Sequence, residues 1–327
     1  MNILVTGGAG YIGSITTRLL CERGHNCIVL DTLENGHLTA VDPRAGLTIG
    51  SVGNQKLVEE LLRTHAIDAV IHLAGYIEVA DSKEFPEKYY ANNVEAPRRM
   101  LEAMRAAGTS ALVFSSTAAV YGEPGRVPIL EDDPKQPINP YGASKLVFEE
   151  ALDAAAASWG LRSIRLRYFN VAGAWPDGSL GEAHVPETHI IARILEALLD
   201  AEETGAAPQF SLFGTDYPTP DGTCVRDYIH VCDLALAHAL ALEALGADED
   251  GGVYNLANGQ GYSNREVLAT AQQVTGHALR VAEVPRRPGD PAVLIADATR
   301  ARERFGWQPQ YPALADMIAH AWAWYHS

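Results

Sequence analysis

The sequence predicts an α/β protein: a doubly wound parallel sheet with a smaller, discontinuous C-terminal domain. Three observations carry this. Short, almost wholly apolar runs alternate with longer amphipathic patterns through the first half of the chain. That is the signature of parallel strands buried on both faces beneath crossover helices. A glycine-rich turn joins the first apolar run to the first helical stretch. Past Tyr168 the alternation gives way to Gly- and Pro-rich stretches, and one more apolar run, 253–256, arrives late enough to complete the sheet from far along the chain.

The strand-like runs are 2–6, 26–30, 69–73, 111–115 and 163–167, and helices are expected over 11–23, 55–65, 92–107 and 140–158. Gly24 suits the end of the first helix. Asn139 and Pro140 suit the start of the fourth, with Asn as cap and Pro at the first helical position. Residues 172–184 and 206–222 read as loops around a helix near 188–202, and 243–252 reads as an acidic surface turn. The first domain is expected to span 1–172, completed by roughly 226–257. The second is expected to combine 173–225 with 258–327.

Composition narrows the function. The 327 residues are 47% hydrophobic, enough for a large core, and the formal charge is -16 with no basic block. A nucleic-acid backbone is therefore not an expected partner, and a phosphorylated ligand would need locally placed arginines. No apolar stretch is long enough to span a membrane, and the opening residues lack the basic flank of a secretory leader. Cys21, Cys27, Cys224 and Cys232 have no short-spaced metal pattern. Free thiols in a reducing cytoplasm are expected, and no metal site.

The glycine turn fits both Gly-x-x-Gly-x-x-Gly (Gly7, Gly10, Gly13) and Gly-x-Gly-x-x-Gly (Gly8, Gly10, Gly13). Gly7 and Gly8 permit a sharp turn, Gly10 lets a pyrophosphate approach the backbone, and Gly13 lets the helix pack close to the strand. The helix N-terminus then offers free N–H groups and a positive dipole end. Asp31, at the end of the second strand, can accept hydrogen bonds from both ribose hydroxyls and would repel a 2′-phosphate, which favours NAD over NADP.

Tyr141 and Lys145 lie four apart at the start of a helix and so share a face. A tyrosine of pKa about 10 is a poor base at neutral pH. A cation ~6 Å away at an effective dielectric of ~20 contributes roughly 2.8 kcal/mol, about two pKa units. Strand 111–115 leads into Ser115, Ser116 and Thr117, at the sheet edge where ligands of such folds sit, placing small hydroxyls within reach of the tyrosine. Together these residues point to redox chemistry on a hydroxyl group.

On these residues the chain resembles the extended short-chain dehydrogenase/reductases, and within them the UDP-galactose 4-epimerases. The likeness runs from Met1 to about Asp297. It rests on the glycine turn, Ile71-His72-Leu73-Ala74-Gly75, Tyr89-Tyr90-Ala91-Asn92-Asn93-Val94, the run from Phe114 to Gly122, Pro140-Tyr141-Gly142-Ala143-Ser144-Lys145, Leu166-Arg167-Tyr168-Phe169-Asn170, and the run from Asp221 to Val231.

The resemblance implies a Rossmann-type first domain holding NAD and a second domain holding a UDP-hexose. It implies that Tyr141 takes the proton from the sugar 4-hydroxyl and that Lys145 holds the nicotinamide ribose and lowers the tyrosine pKa. Thr117 would hydrogen-bond the same hydroxyl. The hydride would leave C4 for NAD and return to the other face of the 4-keto sugar. Cofactor contacts are implied at Gly7, Gly10, Tyr11, Ile12, Gly13, Asp31, Asn35, Ala74, Asn93, Ser115 and Tyr168. Substrate contacts are implied at Asn170, Phe213, Arg226, Tyr228, Arg287, Asp290 and Leu294. A homodimer is implied, with helices near 92–107 and 140–158 packing across a two-fold axis.

The chain departs from the pattern in three places. The stretch Tyr76-Ile77-Glu78-Val79 lacks a lysine that some epimerases carry. Gly50-Ser51 stands where a Gly-Asp pair often reaches the adenine. After Gly289-Asp290, Leu294 stands where relatives have a tyrosine that narrows the pocket, so UDP-N-acetyl sugars become candidate substrates. A 4,6-dehydratase or decarboxylase would need an acid or base where this chain has Ala118-Ala119. A non-catalytic NAD-binding sensor would be expected to lose Tyr141, Lys145 or Thr117, which are all present. Epimerisation of a pentose or uronic acid nucleotide stays open.

Overall fold

The computed structural model describes residues 1–205, 208–247, 250–287 and 290–327. In its first half, strands β1 (Asn2–Thr6), β2 (Asn26–Asp31), β3 (Gly46–Ile49), β4 (Ala69–His72), β5 (Ala111–Thr117) and β6 (Arg162–Tyr168) are interleaved with helices. These are α1 (Tyr11–Glu22), α2 (Gln55–Thr64), α3 (Val79–Glu84), α4 (Pro86–Tyr90), α5 (Ala96–Ala107) and α6 (Pro140–Trp159). The later part contributes β7 (Asn170–Ala172), α7 (Ile190–Thr204), β8 (Gln209–Phe213), β9 (Val225–His230), α8 (Val231–Gly246), β10 (Gly252–Leu256), β11 (Gly261–Ser263), α9 (Asn264–Thr275), β12 (Arg280–Val284), β13 (Val293–Leu294), α10 (Thr299–Phe305) and α11 (Leu314–Tyr325).

Seven strands form one sheet in the order β10-β6-β5-β4-β1-β2-β3, parallel throughout. Alternation along each strand sends side chains to opposite faces. Ile3 and Val5 of β1 join a cluster with Leu234, Leu242 and Leu245 of α8. Leu4, between them, joins Val58, Leu61, Met100 and Phe148 from α2, α5 and α6. Helices thus cover both faces, which is why the strands read as continuous apolar runs. Chain order runs outward from β1 to β3 on one side and from β4 to β6 on the other. The gap above β1 and β4 is therefore the switch point where such sheets bind ligands.

The remaining strands form two small sheets. One has the order β11-β9-β13 with β7 also pairing β9, and the other pairs β8 with β12. Ile194, Leu195 and Leu198 of α7, Leu212, Tyr228, Val267, and Met317 and Ile318 of α11 make their shared core. No helix among the described residues is long and apolar enough to cross a membrane, and all four cysteines are free.

Several expectations need correction. Strand β3 was not among the apolar runs: it is an edge strand whose residues are at most half-buried, and only the family likeness at Gly50-Ser51 pointed to it. The helix expected over 92–107 begins at Ala96, after a wider π-type turn over Ala91–Glu95. Pro97 lacks the N–H that would continue an α ladder back into that turn. The loop expected over 206–222 contains β8, which alternates Phe210 and Leu212 inward with Gln209 and Ser211 outward. Its partner β12 lies some 70 residues later, so nothing local announces it. Residues 206 and 207 of that stretch lie outside the described residues, as do 248 and 249 of the expected acidic turn and Gly289. The start of that turn is the last turn of α8, and its end is the first residue of β10.

Candidate active site

The glycine turn closes on itself through backbone. Gly7 has φ +74°, and a Cβ there would lie 2.6 Å from the Ala74 amide nitrogen. A Cβ on Gly13 would lie 2.0 Å from the Gly7 carbonyl oxygen. Any side chain at either position would push β1, β4 and α1 apart. Gly10 is the N-cap of α1, which has neither a capping side chain nor an acid in its first turn. Its first N–H groups and positive dipole end are therefore available to an anion. Asp31, at the end of β2, is oriented by the turn itself: Oδ2 accepts from Ala9 N at 3.0 Å and Oδ1 from Leu33 N at 2.9 Å. A cradle that only glycine can line, an uncapped helix start and a fixed acid fit a dinucleotide.

The other residues expected around the cofactor divide into two groups. Tyr11 turns away from the cradle and donates to the Gly173 carbonyl at 2.6 Å. Ile12 packs into the core on the α8 side. Both contribute to the cradle through their places in the first turn of α1. Ala74 abuts Gly7, and Asn35 is exposed beyond Asp31. Ser115 and Tyr168 close the sheet edge at the ends of β5 and β6, with their hydroxyls hydrogen-bonded to each other. Asn93 is buried and its amide acts as a clamp. Oδ1 accepts from Tyr76 N at 2.9 Å, while Nδ2 donates to Tyr76 O at 3.0 Å and Ser144 Oγ at 3.1 Å. Ser144 Oγ in turn donates to Tyr141 O at 2.7 Å.

Tyr141 sits in the first turn of α6. Asn139 caps that helix, its side chain accepting from Gly142 N at 2.8 Å. A Cβ on Gly142 would fall 2.5 Å from the Ala119 carbonyl, so glycine lets α6 press against the turn that follows Thr117. That contact is what brings Tyr141 to Thr117. The Thr117 oxygen accepts the Ala119 N–H at 3.1 Å, leaving its own O–H to act on the Tyr141 phenol. One helical turn on, Lys145 is buried, with Nζ donating to the Ser115 carbonyl at 3.0 Å.

Electrostatics differ from the expectation that Lys145 would lower the Tyr141 pKa. Burial pushes the phenol above its ordinary value, the Thr117 hydroxyl opposes that, and the Glu78 carboxylate adds to it. Burial also lowers Lys145 to about 8. Desolvation disfavours the charged form of both groups.

The residues expected around the nucleotide sugar meet in two pairs. Arg226 Nη2 donates to Asp290 Oδ1 at 2.7 Å, and the Arg287 guanidinium stacks over the Phe213 ring, 4.0 Å from its centroid. Asn170 and Tyr228 are register partners across β7 and β9. The Tyr228 hydroxyl is buried and has no hydrogen-bond partner among the described residues. Leu294 pairs with Arg226 in register and packs against the apolar cluster that contains Ala118, Val120, Tyr121, Ile129, Ala257 and Ala296.

Two features were not found from sequence. Glu78 lies in the stretch noted only for its missing lysine, yet its charge reaches Tyr141. Beneath the site, Glu149 and Arg167 form an almost completely buried ion pair. Glu149 also accepts from Ser116 Oγ at 2.5 Å, and Arg167 Nη1 donates to the Tyr121 hydroxyl at 2.9 Å. Helix 140–158 and strand 163–167 each carry several charges, so the sequence did not single out this pair.

Comparison with known proteins agrees with this geometry. Residues 3–257 match the family described as the NAD dependent epimerase/dehydratase family. A UDP-glucose 4-epimerase of Halalkalibacterium halodurans is 46% identical over 325 residues, covering 99% of this chain and 96% of the relative. The crystal structure of UDP-glucose 4-epimerase from Brucella ovis in complex with NAD is 44% identical, with a TM-score of 0.94 over 98% of this chain and 97% of that one. The UDP-Glc/GlcNAc 4-epimerase of Campylobacter jejuni is 38% identical, with a TM-score of 0.85 over 99% of both chains.

Proposed function

The chain belongs to the NAD dependent epimerase/dehydratase family, and from that premise we propose that Tyr141, Lys145 and Thr117 carry a reversible oxidation of a UDP-hexose at its C4 hydroxyl. The protein is an NAD-dependent isomerase that interconverts UDP-galactose and UDP-glucose. The observation that carries the residue assignment is the convergence of the Tyr141 phenol, the Thr117 hydroxyl and the buried Lys145 ammonium at the ends of β5 and α6.

NAD, when bound, supplies the oxidant and then the reductant for C4, and a positive ring beside the phenol. The cradle from Gly7 to Gly13 and Asp31 would hold it, the N-terminus of α1 suiting the pyrophosphate and Asp31 the adenosine ribose. Thr117 donates to the phenol oxygen and steadies the 4-hydroxyl. With NAD bound, the positive ring and the Lys145 ammonium would favour the Tyr141 phenolate, which takes the hydroxyl proton as C4 is oxidised and gives it back as C4 is reduced. Lys145 keeps a positive charge below the phenol and orients the nicotinamide ribose. Arg226 and Arg287 supply donors to the diphosphate, each already held in place, by Asp290 and Phe213 respectively. The Tyr228 hydroxyl and Asn170 complete the uridine diphosphate side. Ala118 and Ala119 offer no group to eliminate water across C5 and C6, which disfavours a dehydratase.

Tyr141→Phe tests the assignment. It removes the proton carrier and leaves the cradle intact. Turnover should fall by about 10²-fold or more, with the NAD content of the purified protein unchanged. Near wild-type turnover in this variant would remove Tyr141 from the mechanism.

Leu294 supports a wider substrate range. Leu294 packs against the cluster that includes Ala118, Val120 and Tyr121, a leucine is smaller than the tyrosine of relatives, and the Campylobacter jejuni relative is named for both UDP-Glc and GlcNAc. UDP-N-acetylgalactosamine should turn over at a rate comparable to UDP-galactose. Leu294→Tyr should depress the acetylated reaction roughly 10–200-fold relative to the other. Equal losses on both sugars would contradict this role.

The remaining assignments follow from the same reading. The NAD-binding part comprises 1–172 with 226–257, and the nucleotide-sugar part 173–225 with 258–327. The support is that the seven-stranded sheet draws β10 from late in the chain while β8, β11, β12 and β13 lie outside it; β7 and β9, although inside the first part's bounds, pair with each other in the small sheet. A homodimer through α5 and α6 follows the family likeness, and a solution mass of 35.2 kDa rather than twice that value would rule it out. A cytoplasmic location is consistent with four free cysteines.

A further inference from the structure

Outside the residues assigned above, one hydrogen bond spans the mouth of the dinucleotide cradle. The Tyr76 hydroxyl donates to the Glu34 carboxylate, 2.9 Å from each of its oxygens. Glu34 lies in the loop after β2, and Tyr76 in the loop after β4. Those strands are not neighbours, because β1 runs between them. All three are parallel, so their loops leave the same edge of the sheet. A bond between the outer two loops therefore crosses the end of β1, where the turn from Gly7 to Gly13 begins.

Both ends of the bond are anchored without it. On the β2 side, His37 N donates to the Ala9 carbonyl at 2.9 Å, and Leu33 N donates to Asp31 Oδ1 at 2.9 Å. These ties fix the loop to the glycine turn and its acid. On the β4 side, the Asn93 amide holds both backbone polar groups of Tyr76, at 2.9 and 3.0 Å. The Tyr76 ring meets the buried Tyr89 ring at a centroid distance of 5.7 Å, and Lys88 Nζ sits 4.5 Å from its own centroid. Burial, with the Glu34 bond and charge, pushes the phenol up to about 12. It therefore remains a proton donor at neutral pH.

We propose that the Tyr76–Glu34 hydrogen bond closes over the bound dinucleotide and slows the release of NAD. This role rests on the reading of the Gly7–Gly13 turn and Asp31 as the NAD cradle. The two residues take no part in the chemistry at C4. They guard the interval between the two half-reactions, when the hydride is on the cofactor and its loss would strand a 4-keto sugar. Two of this chain's own features give the bond weight. Residues 76–79 lack the lysine that some relatives carry there, and Ser51 stands where an Asp often reaches the adenine. Fewer contacts then hold the cofactor from within, and a closure from above offsets them. The sequence gave no sign of the pairing, since the two residues lie in separate loops and neither belongs to a glycine or catalytic motif.

Release is measured directly. Full-length holoenzyme carrying isotope-labelled NAD is diluted into excess unlabelled NAD, and the label lost from the protein is followed over time. Tyr76→Phe removes only the hydroxyl, and Glu34→Ala removes only the acceptor. Each should speed release by at least about fivefold, the worth of one net hydrogen bond. The double variant should release about as fast as either single one, because both changes break the same bond. Glu34→Gln keeps an acceptor oxygen and should fall between wild type and Glu34→Ala. Glu34 is exposed, so its variants test the bond without disturbing the core. A wild-type release rate in either single variant would overturn the proposal, as would a double variant that multiplies the two single effects. Wild-type protein that retains no label would overturn the cradle and the closure together, whereas slow wild-type release with unchanged variants overturns the closure alone.

Discussion

At the scale of single residues, Lys145 is the most telling. It is buried, and its ammonium pKa is lowered to about 8 by burial. An unfolded lysine holds its proton to about 10.4. Between about pH 8 and 10.4 the unfolded chain therefore binds more protons, and stability rises with pH in that window. Below pH 8 the folded protein carries the whole cost of a buried charge, on the order of 3 kcal/mol. Lys145→Met should thus be more stable than wild type at pH 7 in NAD-free protein, lose that advantage by about pH 10, and be nearly inactive. Urea unfolding at both pH values checks this, and a variant less stable at pH 7 would contradict it. Tyr141, Lys145 and Thr117 were legible in the sequence because each belongs to a short motif. The raised phenol pKa was not legible, since burial and the Glu78 charge are consequences of three-dimensional packing.

At the scale of elements, the glycine turn and the α6 start were visible because their signals are local. The cap at Asn139 lies next to the helix it starts. Strands β3 and β8 were not among the apolar runs for the opposite reason: one is a poorly buried edge, and the other pairs far along the chain. The Glu149–Arg167 pair links α6 to β6 directly beneath Tyr141's helix and has no local signature of its pairing. Removing one partner would leave the other charge buried alone. Glu149→Ala is expected to destabilise the protein by about 3–5 kcal/mol. A loss below about 1 kcal/mol in denaturant unfolding would mean that the charges are hydrated or otherwise satisfied.

At the scale of the whole molecule, the arrangement places a dinucleotide cradle at the switch point of the large sheet and two braced arginines beyond it, Arg226 on β9 of one small sheet and Arg287 stacked on Phe213 of the other. The first half of this plan could be read from the sequence, where strands and helices alternate regularly. The second half could be read mainly through the family likeness, because its sheets are short and assembled from distant segments. The claim that joins the two halves is that one chain carries its own oxidant, uses it on the sugar and recovers it unchanged. The most direct measurement is to incubate the purified protein with UDP-galactose, without added cofactor, and follow both UDP-glucose and free NADH. Many turnovers to UDP-glucose with no net NADH release are expected. No UDP-glucose, or NADH accumulating in step with an oxidised sugar, would contradict the account.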